Sequence, residues 1–389
     1  MIKLVNDTVS HEDVDKLRDW LGTYPHLTMG EKTEEFEEAF SRYMGLKHSV
    51  FVNSGSSANL LMIYALKLKY GIKKMAVPAL SWSTSVAPLM QLGIEPVLID
   101  CNLEDLSLDL DHLEEELKGG IDAVLSISPL GLIPCMASLE RLCKSYDAHI
   151  IEDNCESIGS LAGSTPLGKT GLMGTYSFYF SHQMSTVEGG MIVTDDDGLC
   201  DLLRMLRNHG MARDISDATK TRLQEVWKVT DFMNSFTFYV PGFNVRPTDL
   251  QAFIGLLQLD RLSYTASCRF ENFKIYHEII RNRGMWVPQI AWFYKISALA
   301  YPIITTFDDG SAIPNERNHI AKRLQDRDIE TRPIIAGSIG NQPFYKNEYG
   351  EKFLTNAVTV QKHGLYVPCH QDLTIPQIRE ICRVITTYD

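Results

Sequence analysis

From His48 to Asp153 the chain alternates short apolar runs with longer amphipathic ones, and this rhythm restricts the fold more than any other feature. His48–Asn53, Met75–Pro78, Pro96–Asp100, Ala123–Ser128 and His149–Asp153 read as buried strands, with helices expected from Ser57, Ser83, Asp109 and Ser138. Strands apolar along their whole length, separated by helices, predict a mostly parallel sheet covered on both faces. Tyr176–Phe180, with Tyr176, Phe178 and Phe180 on one face, and Met191–Thr194 bring the sheet to about seven strands. The first 47 residues read as two amphipathic helices, His11–Leu21 and Lys32–Tyr43, around a turn at Thr28-Met29-Gly30. Beyond Asp195 we expect a helix to Asn208, a charged mobile stretch from Arg213 to Thr230, and a long helix from Arg246 toward Tyr276. Leu299–Thr305, Glu330–Pro333 and a final helix from Pro376 read as a smaller α+β domain, so the expected division is 1–255 and 256–389.

Composition removes several functional classes. A net charge of −12 without a basic stripe argues against nucleic acid. No apolar run reaches membrane-spanning length, and the N-terminal residues lack a signal-peptide core. The eight cysteines are scattered with no C-x-C or C-x-x-C pair, and they read as reduced thiols in a cytoplasmic protein.

The chemistry-bearing residues gather at expected strand ends, where ligands sit in open α/β sheets. His182 follows the strand Tyr176–Phe180 and precedes Glu188-Gly189-Gly190. On the residues alone it could be catalytic, although a lone His at a strand end is more often structural. Gly55, Ser56 and Ser57 open a helix after the first strand, and suit either a phosphate cradle or an ordinary N-cap by Ser56. Trp82 follows the second strand, as a stacking platform or a core ring. Asp153 ends the strand HIIED, where a carboxylate needs a cationic partner unless it is a solvated cap. Asn244, in PGFNVR, suits a turn or a ligand contact.

Ser177-Phe178, the residue five positions after that serine, and Glu188-Gly189-Gly190 resemble the sugar aminotransferase family of fold type I pyridoxal phosphate (PLP) enzymes. The resemblance covers nearly the whole chain and is closest over residues 48–260. Where that family carries the lysine that binds the cofactor covalently, this chain has His182, so any cofactor is held non-covalently and the residue acts as acid or base. This departure is similar to the family's dehydratase branch, whose members remove the C3 hydroxyl of nucleotide-linked 4-keto-6-deoxysugars, GDP-linked in the nearest case. The resemblance implies that Gly55, Ser56, Ser57 and Ser177 hold the PLP phosphate and that Trp82 stacks on the ring. It implies further that Asp153 pairs with the pyridine nitrogen and that Glu156 stands near the ring hydroxyl. It assigns Asn244 to the phosphate of a neighbouring subunit in a homodimer with shared sites, and places His209, Arg332 and His370 near substrate. L-Glutamate is the implied amino donor, converting PLP to pyridoxamine phosphate (PMP), and the missing cysteine pairs imply no iron–sulfur reductase and no metal. His182 is expected to work near the ordinary imidazole pKa. A sugar aminotransferase, or a lysine-less binding module without catalysis, remains open at this stage.

Overall fold

The computed structural model describes residues 1–291, 293–306 and 316–387. Seven strands form the central sheet: β1 (His48–Val52), β2 (Lys74–Pro78), β3 (Glu95–Ile99), β4 (Ala123–Ile127), β5 (His149–Asp153), β8 (Gly174–Ser177) and β9 (Gly190–Thr194). Two short strands, β6 (Leu161–Ala162) and β7 (Thr165–Pro166), pair off that sheet with β10 (Tyr294–Lys295). The order in the large sheet is β1-β9-β8-β5-β4-β2-β3. Only β9 runs against its neighbours, pairing antiparallel with both β1 and β8. The remaining pairings are parallel, so the carboxyl ends of β5 and β8 meet in mid-sheet, with Asp153 opposite Thr175. The expected mostly parallel seven-stranded α/β architecture is therefore observed.

Helices α1 (His11–Leu21) and α2 (Glu31–Met44) precede the sheet, and α3 (Gly55–Tyr70), α4 (Ser83–Gln91), α5 (Leu110–Leu117), α6 (Met136–Ser145) and α7 (Asp197–Arg207) accompany its strands. α8 (Asp217–Trp227) and α9 (Asp231–Asn234) lead to α10 (Asp249–Arg281), which runs unbroken through residue 255. The C-terminal part pairs β11 (Ala300–Ile304) with β12 (Gly364–Pro368), beside α11 (Glu316–Gln325), α12 (Pro343–Tyr349), α13 (Thr355–His363) and α14 (Ile375–Thr386).

An aromatic core fixes the N-terminal helices to the site. Phe36 and Phe40 of α2 pack on Phe51, Tyr176 and Phe178, the Phe36 and Phe51 rings meeting edge-on at 4.9 Å. α2 can lie this close to α10 because residue 255 is glycine: a Cβ there would come 2.7 Å from the Phe36 ring. Asp249, in the first turn of α10, accepts from the backbone of Gly30, Lys32 and Thr33 and so supplies the side-chain cap that Gly30 cannot.

Three expectations change. The β8 strand ends at Ser177; Phe178 is still buried, but Phe180 is 43% exposed, because the chain turns into the His182 loop before it. The long helix begins at Asp249, three residues after Arg246, with Thr248 as N-cap in a capping box with Gln251. The charged stretch expected to be mobile contains α8, capped by Ser216.

Candidate active site

The turn from β1 into α3 is capped by Ser54, not Ser56: the Ser54 hydroxyl accepts the Ser57 N–H at 3.1 Å. That leaves the N–H groups of Gly55 and Ser56 without a protein acceptor among the described residues, at the positive end of a sixteen-residue helix. Ser56 Oγ reaches Thr84 Oγ1 of α4 at 3.1 Å. Gly55 is required by what lies beside it, since a Cβ there would stand 2.6 Å from Ser177 Cβ and 3.0 Å from its Oγ. The cradle and Ser177 are thus brought together.

Asp153 is 5% exposed and held by neutral donors. Asn59 Nδ2 of α3 and Ser85 Oγ of α4 donate to Oδ2 at 2.7 and 2.8 Å, and the Cys155 N–H donates to Oδ1 at 3.1 Å. Asn59 is itself oriented by Thr175 of β8, whose hydroxyl donates to its Oδ1 at 2.6 Å. No Lys or Arg pairs with Asp153 among the described residues, so a buried carboxylate faces the site with donors but no counter-cation.

His182 is half-buried in the loop between β8 and β9. Its Nδ1 lies 2.5 Å from the carbonyl oxygen of Cys155. A carbonyl can only accept, so Nδ1 carries the proton and Nε2 presents a lone pair. Burial moves its pKa down to about 4, reinforced by the Arg269 charge and opposed by the Cys155 contact and Asp153. This corrects the expectation of an ordinary value: the ring is a neutral base at pH 7 and, once protonated, a strong acid. Glu156, half-buried beside it, is pushed up to about 7 by burial and the Asp153 charge, although its Oε2 accepts the Leu130 N–H at 2.7 Å.

Trp82 is 57% exposed at the N-cap of α4, which excludes the core-ring reading. Asn244 is exposed on a segment hydrogen-bonded to Asn53 through Val245, with Arg246 Nε donating to its Oδ1 at 3.0 Å. His209 is exposed with φ +60°, in the left-handed region. Arg332 is exposed and bridges by its backbone to Tyr366, whose phenol feels both the Arg332 and the Glu156 charge. His370 is 4% exposed; its carbonyl accepts from Asn272, its Nδ1 from the Asp372 N–H, and no contact joins it to His182 among the described residues.

The DegT/DnrJ/EryC1/StrS aminotransferase family matches residues 8–386. The chain belongs to this family. Within it, the chain is 34% identical to a GDP-4-keto-6-deoxy-D-mannose 3-dehydratase of Yersinia pseudotuberculosis over 92% of each chain. A crystal structure of a mutant GDP-4-keto-6-deoxymannose-3-dehydratase with bound GDP-perosamine superposes with a TM-score of 0.90 at 30% identity, covering 99% of this chain and 100% of that one. A second, described as holding a trapped PLP-glutamate geminal diamine, gives 0.87 at 29% identity, with 99% and 100% covered.

Asn59, Ser85, Thr84 and Gln183 were missed as site residues of this DegT/DnrJ/EryC1/StrS member. Asn59 had a signal: it lies four positions after Gly55, one helical turn on, and so faces the same cleft. Gln183, 1% exposed beside His182, had none.

Proposed function

We propose that this chain is a PLP/PMP-dependent 3-dehydratase that removes the C3 hydroxyl of a nucleotide-linked 4-keto-6-deoxysugar, with GDP as the nucleotide and L-glutamate as amino donor. The observation that carries the reading is His182: a neutral imidazole with Nδ1 fixed on Cys155 and Nε2 free stands where the family's covalent lysine is expected. The residues fit the cofactor. Two unpartnered N–H groups and the space beside Gly55 suit a phosphate, and Asp153, which has donors but no cation, suits a protonated ring nitrogen.

Gly55, Ser56, Ser57 and Ser177 would hold the phosphate, Trp82 would cover the ring, Asp153 would take its nitrogen and Glu156 its hydroxyl. When bound, the cofactor supplies an electron sink and, in its amine form, the nitrogen that engages the sugar ketone. Nε2 of His182 accepts a proton, and the resulting imidazolium keeps its Nδ1–H on Cys155. An imidazolium whose pKa burial has lowered to about 4 gives that proton readily to the departing C3 oxygen, which leaves as water. The sugar loses one oxygen overall, balanced by conversion of glutamate to 2-oxoglutarate and ammonia. His209, Arg332 and, less directly, buried His370 belong to the substrate side in this reading.

Asn244 would complete the phosphate site of a second copy in a homodimer. Its exposure supports this, as does the nearby apolar surface of Trp227, Phe232, Phe236 and Phe238, each more than 60% exposed. We also place the enzyme in the cytoplasm, supplying deoxysugar to lipopolysaccharide or capsule without an iron–sulfur reductase; eight free cysteines with no paired spacing support this. We infer a division at residue 255, inside α10, into a cofactor-binding part and a smaller C-terminal part.

Purified protein with PLP, glutamate and GDP-4-keto-6-deoxymannose is expected to release ammonia and a sugar nucleotide one oxygen lighter. An amino sugar without ammonia would make it an aminotransferase instead.

A further inference from the structure

Consecutive side chains at 182 and 183 grip consecutive carbonyls at 155 and 156. His182 Nδ1 meets the Cys155 oxygen at 2.5 Å, and Gln183 Nε2 donates to the Glu156 oxygen at 2.7 Å. The same Gln183 amide donates its second hydrogen to the Ser297 oxygen at 2.8 Å. Both partners are carbonyls, so the amide nitrogen must face them; Gln183 Oε1 is buried and unpartnered. From Ser297 the contacts return to the start. Leu299 N–H donates to the Leu130 oxygen at 3.0 Å, and Leu130 N–H donates to the Glu156 carboxylate at 2.7 Å. The 297–299 segment is fixed from outside as well: Arg269 Nη1 donates to Ala298 and Leu299 oxygens at 2.9 and 3.2 Å, and Ser160 Oγ accepts the Ser297 N–H at 2.9 Å.

We propose that Gln183 is a positioning residue: by closing this hydrogen-bonded ring it holds the Glu156–Ser157 peptide in place, and through the adjoining Cys155 carbonyl it sets the tautomer and direction of His182. The Cys155 oxygen is the only protein partner of the His182 ring nitrogens among the described residues, so the Nδ1–H form persists only while that oxygen is held. Among the described residues, Gln183 is the side chain that ties the Glu156 carbonyl directly to the 297–299 segment. Loss of its donors would leave the Glu156 and Ser297 carbonyls without this partner and free the Cys155–Ser157 backbone to turn.

The catalytic consequence rests on the dehydratase reading; the tautomer does not. The test is a long-range 1H–15N correlation spectrum of histidine-labelled full-length protein, with and without PLP, for wild type and Q183M. Methionine keeps the length of the side chain and removes both donors. Wild type is expected to show only the Nδ1–H form of His182, and Q183M a mixture of both forms. The kcat of Q183M should fall about 10- to 100-fold with KM for the sugar nucleotide little changed. Q183E guards against misfolding of Q183M. Its carboxylate, facing two carbonyls, should give the same mixture at about pH 8; burial beside those oxygens raises its pKa, and protonation at about pH 5 should restore one donor and the single form. A pure Nδ1–H signal with wild-type kcat in a folded variant overturns the proposal, and so does a variant that only lowers Tm. Tautomer mixing in Q183M, when the wild type proves unable to dehydrate the sugar, sustains the ring and refutes the dehydratase reading alone.

Discussion

Glu156 and His182 carry opposite and nearly equal pH dependences, and E156Q should expose the one that the other hides. Folding takes the Glu156 carboxyl from 4.5 to about 7, so the folded chain holds a proton that the unfolded chain has lost. This contribution is fully present below pH 4.5 and is lost as pH rises through 7; at about 1.4 kcal/mol per pH unit it comes to about 3 kcal/mol. His182 runs the other way. Its pKa falls from 6.5 to about 4, so its contribution is present above 6.5 and lost as pH falls through 4, again about 3 kcal/mol. Between about pH 4.5 and 6.5 the two slopes cancel in the wild type. E156Q keeps the shape and an oxygen for the Leu130 N–H, so it removes only the titration. Urea unfolding of the cofactor-free protein across this range should show E156Q gaining on wild type by up to about 3 kcal/mol as pH rises, while H182Q gains as pH falls. An E156Q difference equal at pH 5 and pH 8 would refute the raised carboxyl and the burial argument behind it.

H182N should retain PLP, seen by its absorbance, while dehydration falls about 10²- to 10⁴-fold; turnover near wild type would remove His182 from proton transfer. H182K should bind PLP covalently, in a form that borohydride fixes and mass spectrometry detects, and an unmodified lysine would mean that the side chain does not face the aldehyde. N59L should weaken the hold on Asp153 by about 1.5–3 kcal/mol, lowering kcat more than stability-matched controls, and an unchanged rate would show that the Asn59 contact at 2.7 Å does not orient the carboxylate.

Strand and helix rhythm carried most of the large sheet, because apolar runs and turn residues are local signals. The cleft residues could be found for the same reason: Asp153 ends a strand, and Gly55, Trp82 and His182 each follow one at its carboxyl end. What escaped depended on distance along the chain. Gln183 meets Ser297 across 114 positions, and no local pattern announces that pairing. The cap fell to Ser54 and not Ser56 because only the folded turn decides which hydroxyl faces the Ser57 N–H. His182 looked like an ordinary imidazole because burial, not residue type, displaces its pKa. The burial of His370, whose Nδ1 accepts from the Asp372 N–H, was likewise not visible in the sequence. Phe180 continued the alternation of Tyr176 and Phe178 but lies past the end of the pairing, where the period of two no longer applies.

The reversed direction of β9 sets a length. Because it runs against β8, its first residue, Gly190, pairs with Ser177 at the catalytic end, and a Cβ on Gly190 would strike the Ser54 oxygen at 2.3 Å. Phe178 and Gly189 are joined again by a backbone bond of 2.9 Å. The loop bearing His182 is thus a closed span pinned at both feet beside the turn into α3, and an inserted or deleted residue within it would shift the His182 ring relative to Gly55 and Ser177. Such a loop changes by exchange of side chains and not by change of length. If His182 has the role proposed above, a single codon at position 182 can redirect the chemistry of this scaffold while the rest of the site keeps its dimensions.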